Sequence, residues 1–174
     1  MSKTWDRAYF DRWYRGEDAP KGQGELSRQV ALAVAATESV LDRELASVLD
    51  VGCGEGRWQP VLRVLRPEAA YLGLDPSAYA VERFGASRNL LAGSFQELDA
   101  FAFEDPFDLV VCADVLHYLD KESVLAGLDT LADLVGGVAL IEVFTEEDPV
   151  LGDREGFHAR PAIWYRRALR SAGL

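Results

Sequence analysis

The sequence predicts an α/β protein built on a doubly wound, mainly parallel sheet, and three observations carry that prediction. A short apolar run, Val48, Leu49 and Val51, leads directly into a glycine-rich turn at Gly52, Gly54 and Gly56. A helical spacing of Trp58, Val61, Leu62 and Leu65 follows at once. Strand and helix patterns then keep alternating, and Asp75 closes the second strand about 20 residues beyond the glycines, an offset typical of doubly wound folds. Short apolar runs suit parallel strands covered on both faces. Glycines let a ligand approach the backbone closely, so strand, bare turn and helix N-terminus form a nucleotide-sized binding corner.

At 174 residues the chain fits one domain with a sizeable core. A hydrophobic fraction of 49% and a charged fraction of 27% are ordinary for a soluble globular protein. The formal net charge of −11 disfavours nucleic acid as a partner, because phosphate binding needs clustered Lys and Arg. A small-molecule substrate fits better. The N-terminus, Met1 to Arg7, lacks the apolar segment of a signal peptide, and the aliphatic stretch from Val30 to Ala36 is too short to span a bilayer. No membrane partner is expected. Cys53 and Cys112, the only cysteines, offer neither a zinc spacing nor a disulfide framework, so no metal and a cytoplasmic location are expected.

Taken in order, residues 1–24 form an aromatic and charged segment ahead of the main domain, 25–174. Within it Tyr9, Phe10 and Trp13 share one side of a short helix, either docking the segment on the domain or closing it as a lid. Gly16 to Gly24 reads as a loop. Leu26, Val30, Ala33, Val34, Thr37 and Leu41 mark an amphipathic helix carrying Arg28. Tyr71 to Ser77 is the second strand and its acidic end; Asp75 either meets ribose hydroxyls or opens the helix beginning at Ser77. Asn89 to Phe95 is a short third strand and turn, and Leu109 to Val111 a buried fourth strand. Val124 to Val135 has helical spacing, with Gly136-Gly137 expected to end the helix and Val138 to Phe144 to form the fifth strand. Thr145 to Arg160 is a polar loop, whose Phe157, His158 and Arg160, with Trp164 and Tyr165 of the last helix, are candidates for substrate recognition.

The turn departs from the generic dinucleotide fingerprint, which has a third glycine where this chain has Arg57. It carries instead Asp50, one spacer, and three glycines alternating with Cys53 and Glu55. That pattern resembles the first motif of the class I S-adenosylmethionine-dependent methyltransferases of small-molecule type. Asp75, Gly93-Ser94 and Asp108 to Leu119 follow in the order of that family, over residues 26–145. The resemblance implies a Rossmann-like sheet, S-adenosyl-L-methionine as cofactor and methyl transfer to a small-molecule acceptor. A carboxylate at the strand end suits this ligand, which carries an ammonium and a sulfonium; it would repel a diphosphate.

The resemblance also assigns residues. Asp50 lies near the methionine end, above Gly52, Cys53, Gly54 and Gly56; Asp75, followed by Pro76, meets the ribose. Ser94 stands where the family has an aspartate reading adenine, Phe95 offers its backbone N–H, and Gln96 is a further candidate. Ala113 packs near the cofactor, with Asp114 and His117 beside the acceptor. His117 is a general base, a pocket wall or a packed core residue, and Asp114 is equally open. A lid would bring Tyr14 and Arg15 to the ligand, and Arg28 is either a cofactor-carboxylate contact or a solvated surface residue. The family adds two further strands as an antiparallel hairpin, which this chain is expected to lack. Either the chain is cut short or a second copy covers the exposed edge of the fifth strand. Two alternatives remain: a non-catalytic regulatory or scaffold protein on the same fold, and a nicotinamide-dependent oxidoreductase, which Asp50 and Arg57 disfavour.

Overall fold

The apolar runs become β1 (Ser47–Val51), β2 (Ala70–Asp75), β3 (Leu90–Ala92), β4 (Phe107–Ala113) and β5 (Val135–Glu142). In the computed structural model, which describes residues 4–15, 22–149 and 153–174, these pair in parallel as one five-stranded sheet, ordered β3-β2-β1-β4-β5. The described helices are α1 (Arg7–Phe10), α2 (Gln23–Leu41), α3 (Trp58–Leu65), α4 (Ala78–Arg88), α5 (Lys121–Asp133) and α6 (Ala162–Ser171). Of the expected loop over 16–24, residues 16–21 lie outside the described part, as do 1–3 and, in the loop after β5, 150–152.

Successive side chains of a strand point to opposite faces, and β1 shows what this achieves. Val48 joins the core layer under α2 and α3, while Leu49 and Val51 join the layer under α5 and α6. Asp50 therefore points to the α2/α3 side, where it is buried. The chain leaves β1 for β2 on one side and returns later to β4 on the other. The strand order thus reverses beside β1, and the crevice at the carboxyl ends of β1 and β4 is the switch point where such sheets bind ligands.

Helix starts follow their capping residues. Ser77 Oγ accepts from the Ala80 N–H at 3.1 Å and opens α4; Asp120 accepts from the Ser123 N–H at 2.7 Å and opens α5. The end of α5 differs from the sequence expectation. Gly136 and Gly137 do not terminate this helix; α5 closes at Leu134 and both glycines lie inside β5. A Cβ on Gly137 would fall 2.5 Å from the Asp108 carbonyl oxygen, so the pair serves the close approach of β5 to β4 rather than a helix cap. Among the described residues no strand pairs with the outer edge of β5, and no helix is long and apolar enough to cross a membrane.

The edge of the sheet opposite the switch point is held by charge. Arg43 donates from both terminal nitrogens to Asp108, at 2.7 and 2.6 Å, and the Ala46 N–H donates to Asp108 Oδ2 at 2.7 Å. This ties the α2–β1 connection to the start of β4. The Arg43 guanidinium, first, and the backbone donors hold the Asp108 carboxyl below the usual aspartate range. Such a group contributes stability above its unfolded pKa and loses it as pH falls through the folded value. Asp108→Asn is therefore expected to cost about 1–3 kcal/mol at neutral pH, by urea denaturation, with a smaller difference between variant and parent in acid.

Candidate cofactor site

The turn after β1 needs its glycines. Gly52, Gly54 and Gly56 have φ of 72°, 56° and 67°, in the left-handed region that a Cβ disfavours. The Gly52 and Cys53 N–H groups donate to the Leu74 carbonyl at 2.8 and 3.1 Å, which seats the turn on the end of β2. Asp75 completes the attachment: Oδ2 accepts from the Gly54 N–H at 2.7 Å and Oδ1 from the Ser77 N–H at 2.9 Å. Burial pushes the Asp75 pKa up, opposed by these two amide bonds. A carboxylate has about four acceptor directions, so further donors such as hydroxyls can still be accepted.

Asp50 lies in the layer below. The Tyr71 hydroxyl donates to its Oδ2 at 2.7 Å. Burial, and then the Asp75 charge, push the Asp50 pKa up to about 7 against the Tyr71 bond. Cys53 is buried beside this pair, and burial raises its thiol well above the usual range. The corner therefore holds two buried carboxyls with no described cation paired to either, an arrangement that favours a positively charged ligand. Tyr71 was not singled out in the sequence, although a signal existed. β1–β2 pairing sets Asp50 opposite Gly73, and Tyr71, two residues earlier, lies on the same face.

Residues 4–15 lie across this corner. α1 continues into a single π-helical turn, Asp11–Arg15, and Phe10 is buried with its ring against Tyr14 and Tyr79. A Cβ on Gly54 would run into the Tyr14 hydroxyl, so the space the glycine leaves is filled by that side chain. Arg15 pairs with Glu55 of the turn at 2.5 Å, and Ser77 Oγ donates to the Trp5 carbonyl at 2.6 Å. Tyr9 shares a side-chain hydrogen bond with Tyr118 on the far side. The segment thus spans from the glycine turn to the end of β4.

The remaining expected residues divide between two places. Ser94 precedes the short 3-10 helix Phe95–Ala100, and its N–H and hydroxyl both donate to Glu97 Oε2, at 3.0 and 2.7 Å. The Phe95 ring is buried, packed over Gly127 of α5, and Gln96 donates to Ser123 Oγ. Pro76 is exposed next to Asp75, and Arg28 is exposed on α2.

At the end of β4, Ala113 pairs with Glu142 and Asp114 takes a φ of 61°, its N–H donating to the Glu142 carbonyl at 3.0 Å. Glu142 in turn accepts from Gln29 of α2 at 2.6 Å, a strap that nothing in the sequence spacing announces. His117 is 1% exposed, its ring among Tyr118, Phe144 and Phe157. Its Nδ1 accepts from the Phe144 N–H at 3.3 Å, which places the proton of the neutral ring on Nε2. Arg160 donates to the carbonyls of Leu116 and Leu119, and the His158 N–H to that of His117. These contacts clamp the loop after β5 onto the turn after β4.

Comparison with known proteins agrees with this geometry. Residues 21–171 match the family described as a methyltransferase domain. The trans-aconitate 2-methyltransferase of Methylobacterium nodulans is 30% identical over 123 residues, covering 70% of this chain and 42% of that protein. The chain therefore spans about two-fifths of the length of this curated relative. Magnesium protoporphyrin IX methyltransferase from Synechocystis PCC 6803, solved with bound SAH, superposes with a TM-score of 0.68 at 21% identity, over 97% of this chain and 85% of that one. The [4+2]-cyclase SpnF shares the fold with a TM-score of 0.60 at 22% identity, over 91% and 60%. With the family matching most of the chain, and the glycine turn, the acidic strand ends and the parallel sheet all in place, the chain belongs to the methyltransferase domain family, on its class I fold.

Proposed function

We propose that this chain binds S-adenosyl-L-methionine at the glycine turn and transfers its methyl group to a small-molecule acceptor. The observation that carries this reading is the pair of buried carboxyls, Asp50 and Asp75, against a turn of left-handed glycines. The residues fit the group: Asp75 has acceptor capacity for ribose hydroxyls, and Asp50 meets the need of an ammonium or sulfonium for negative charge. When bound, the cofactor supplies an already activated methyl group. The protein's part is then to align the acceptor and exclude water, an effect worth roughly 7–11 kcal/mol in well-oriented systems. In this reading residues 4–15 act as a lid, with Tyr14 yielding the space above Gly54 to the ligand.

On the acceptor side, Asp114 and the wall around His117 border the reaction. With the Nδ1 lone pair engaged by the Phe144 amide and the ring proton on Nε2, His117 serves in this reading as pocket wall rather than as the base that takes an acceptor proton. The curated relative's name makes polycarboxylic acids, trans-aconitate first, the acceptors to try. A reducing, cytoplasmic setting belongs to the same reading, supported by two buried free thiols. The acidic charge balance supports an acceptor other than nucleic acid. The cyclase neighbour motivates the second reading, in which the scaffold is kept and methyl transfer is not performed.

Calorimetric titration with S-adenosylhomocysteine tests the proposal. The wild type is expected to bind at about micromolar affinity, and Asp75→Ala to weaken this about tenfold to a hundredfold, as losing hydrogen bonds to a charged group implies. A folded wild type that shows no binding overturns the reading.

A second expectation concerns pH. The Asp50 carboxyl titrates near 7 in the free protein, against about 4 for an unfolded aspartate. The native state holds the extra proton between those values and so loses stability as pH rises through about 7. A cationic ligand favours the ionised form, so binding releases this proton. Affinity for S-adenosylmethionine is expected to rise by up to about tenfold per unit between roughly pH 6 and 7, then level off. Asp50→Asn should abolish the slope, read by titration in buffers of different protonation enthalpy.

A further inference from the structure

The two ends of the glycine turn carry opposite charge. Toward β1 and β2 it meets Asp50 and Asp75; beyond Gly54 it opens on a cleft of about 580 Å³ lined by Arg15, Arg57, Arg83 and Arg88. Among the described residues Glu55 is the one carboxylate in that lining. It is taken by Arg15, which also reaches Asp11 on the rim at 3.0 Å. Four guanidiniums sharing one cleft are unexpected in a chain with 18 basic and 29 acidic residues. Like charges this close repel, and a surface so acidic offers ample carboxylates with which to disperse them.

The arginines of α4 and the arginine just before α3 are instead held by aromatic faces and a carbonyl. The Arg88 guanidinium lies 4.3 Å from the Phe84 ring centroid and donates to the Glu55 carbonyl at 2.5 Å. Arg83 lies 5.6 Å from the same ring, and Arg57 5.5 Å from the Tyr14 ring. A guanidinium stacked on a ring keeps its N–H edge for a planar oxyanion, and the stack pre-organises it. The first turn of α3, at Pro60, adds the positive end of a helix dipole to the same space. Neither Asp50 nor Asp75 of the proposed cofactor corner lines the cleft, and neither does any described residue of the β4 and β5 ends where an acceptor would sit.

We infer that this cleft is a second binding site, for a small multivalent oxyanion bearing two or more carboxylate or phosphate groups. Glu55 neutralises Arg15, and Arg83 and Arg88 remain to face the charges of such a ligand. Bidentate contacts from Arg83 and Arg88 would fix it over Phe84. The cleft shares Tyr14, Arg15 and Glu55 with the lid and turn of the proposed cofactor site, and the probes below test it in the absence of cofactor.

Citrate and pyrophosphate serve as probes, titrated calorimetrically against the whole chain at low ionic strength. At least one is expected to bind at about millimolar affinity or tighter, and binding should weaken as KCl is added. The double variant Arg83→Gln/Arg88→Gln is expected to weaken binding about tenfold or more. Arg83→Gln alone, whose side chain is exposed and leaves the Arg88 contact to Glu55 in place, should lose a smaller factor in the same direction. Citrate alone assigns a carboxylate ligand, pyrophosphate alone a phosphate ligand, and both together a site selecting charge. Failure of both probes to bind a folded wild type, or equal affinity in the double variant, overturns the inference.

Discussion

Asp75 is the joint on which the site depends. Its two carboxylate oxygens accept backbone N–H groups from Gly54 and Ser77, so one buried side chain joins the end of β2, the glycine turn after β1 and the start of α4. The turn cannot hold its left-handed glycines by local preference, because glycine gives up more backbone entropy on ordering than any other residue. It is held by hydrogen bonds into β2: two to the Leu74 carbonyl and one to Asp75. Any ligand seated there inherits a floor ordered before it arrives. A burial-raised pKa is the cost of placing that carboxyl inside, and the two amide bonds are what make it tolerable.

The same logic explains why Asp50 is more perturbed than its neighbour. Asp75 has two amide donors, whereas the described bond to Asp50 is a single phenol hydrogen bond from Tyr71. Asp50 also feels the negative charge of Asp75, so ionising both side by side is unfavourable. Two carboxyls so placed would both gain from a positive charge brought beside them, which is the physical basis of the cationic ligand proposed for the site.

The sheet and the turn were legible because they rest on local signals: short apolar runs, glycines between strand and helix, and Ser or Asp at helix starts. The end of α5 was not, because Gly136-Gly137 carries the same letters as a helix cap while serving a strand contact with Asp108 made by residues far along the chain. Asp50, Asp75 and the glycines could be picked out by spacing, and they do come together. The Tyr71 contact was within reach of the strand register. The straps around the ends of β4 and β5 were not: Gln29 to Glu142, Tyr9 to Tyr118, and Arg160 to the turn after β4 join residues whose separation in sequence follows no period. His117 shows the limit most clearly. Its residue type and motif position left base, pocket wall and packing open, and the bond that bears on its tautomer comes from a backbone amide of Phe144, 27 residues away.

The arginine cleft follows from how little sequence distance says about charge density. Arg57, Arg83 and Arg88 are scattered through a strongly acidic chain, and nothing in their spacing groups them. α3 and α4 run side by side on one face of the sheet, and the packing of Gly56 against Leu90 and Arg88 draws their ends together. A chain with an overall negative field still presents a local positive one wherever the fold concentrates guanidiniums and stacks them on rings. The concentration adjoins the acidic half of the same turn, so the two halves present opposite charge to whatever reaches them. The glycines between them let both halves reach close to the backbone without a side chain of the turn standing in the way.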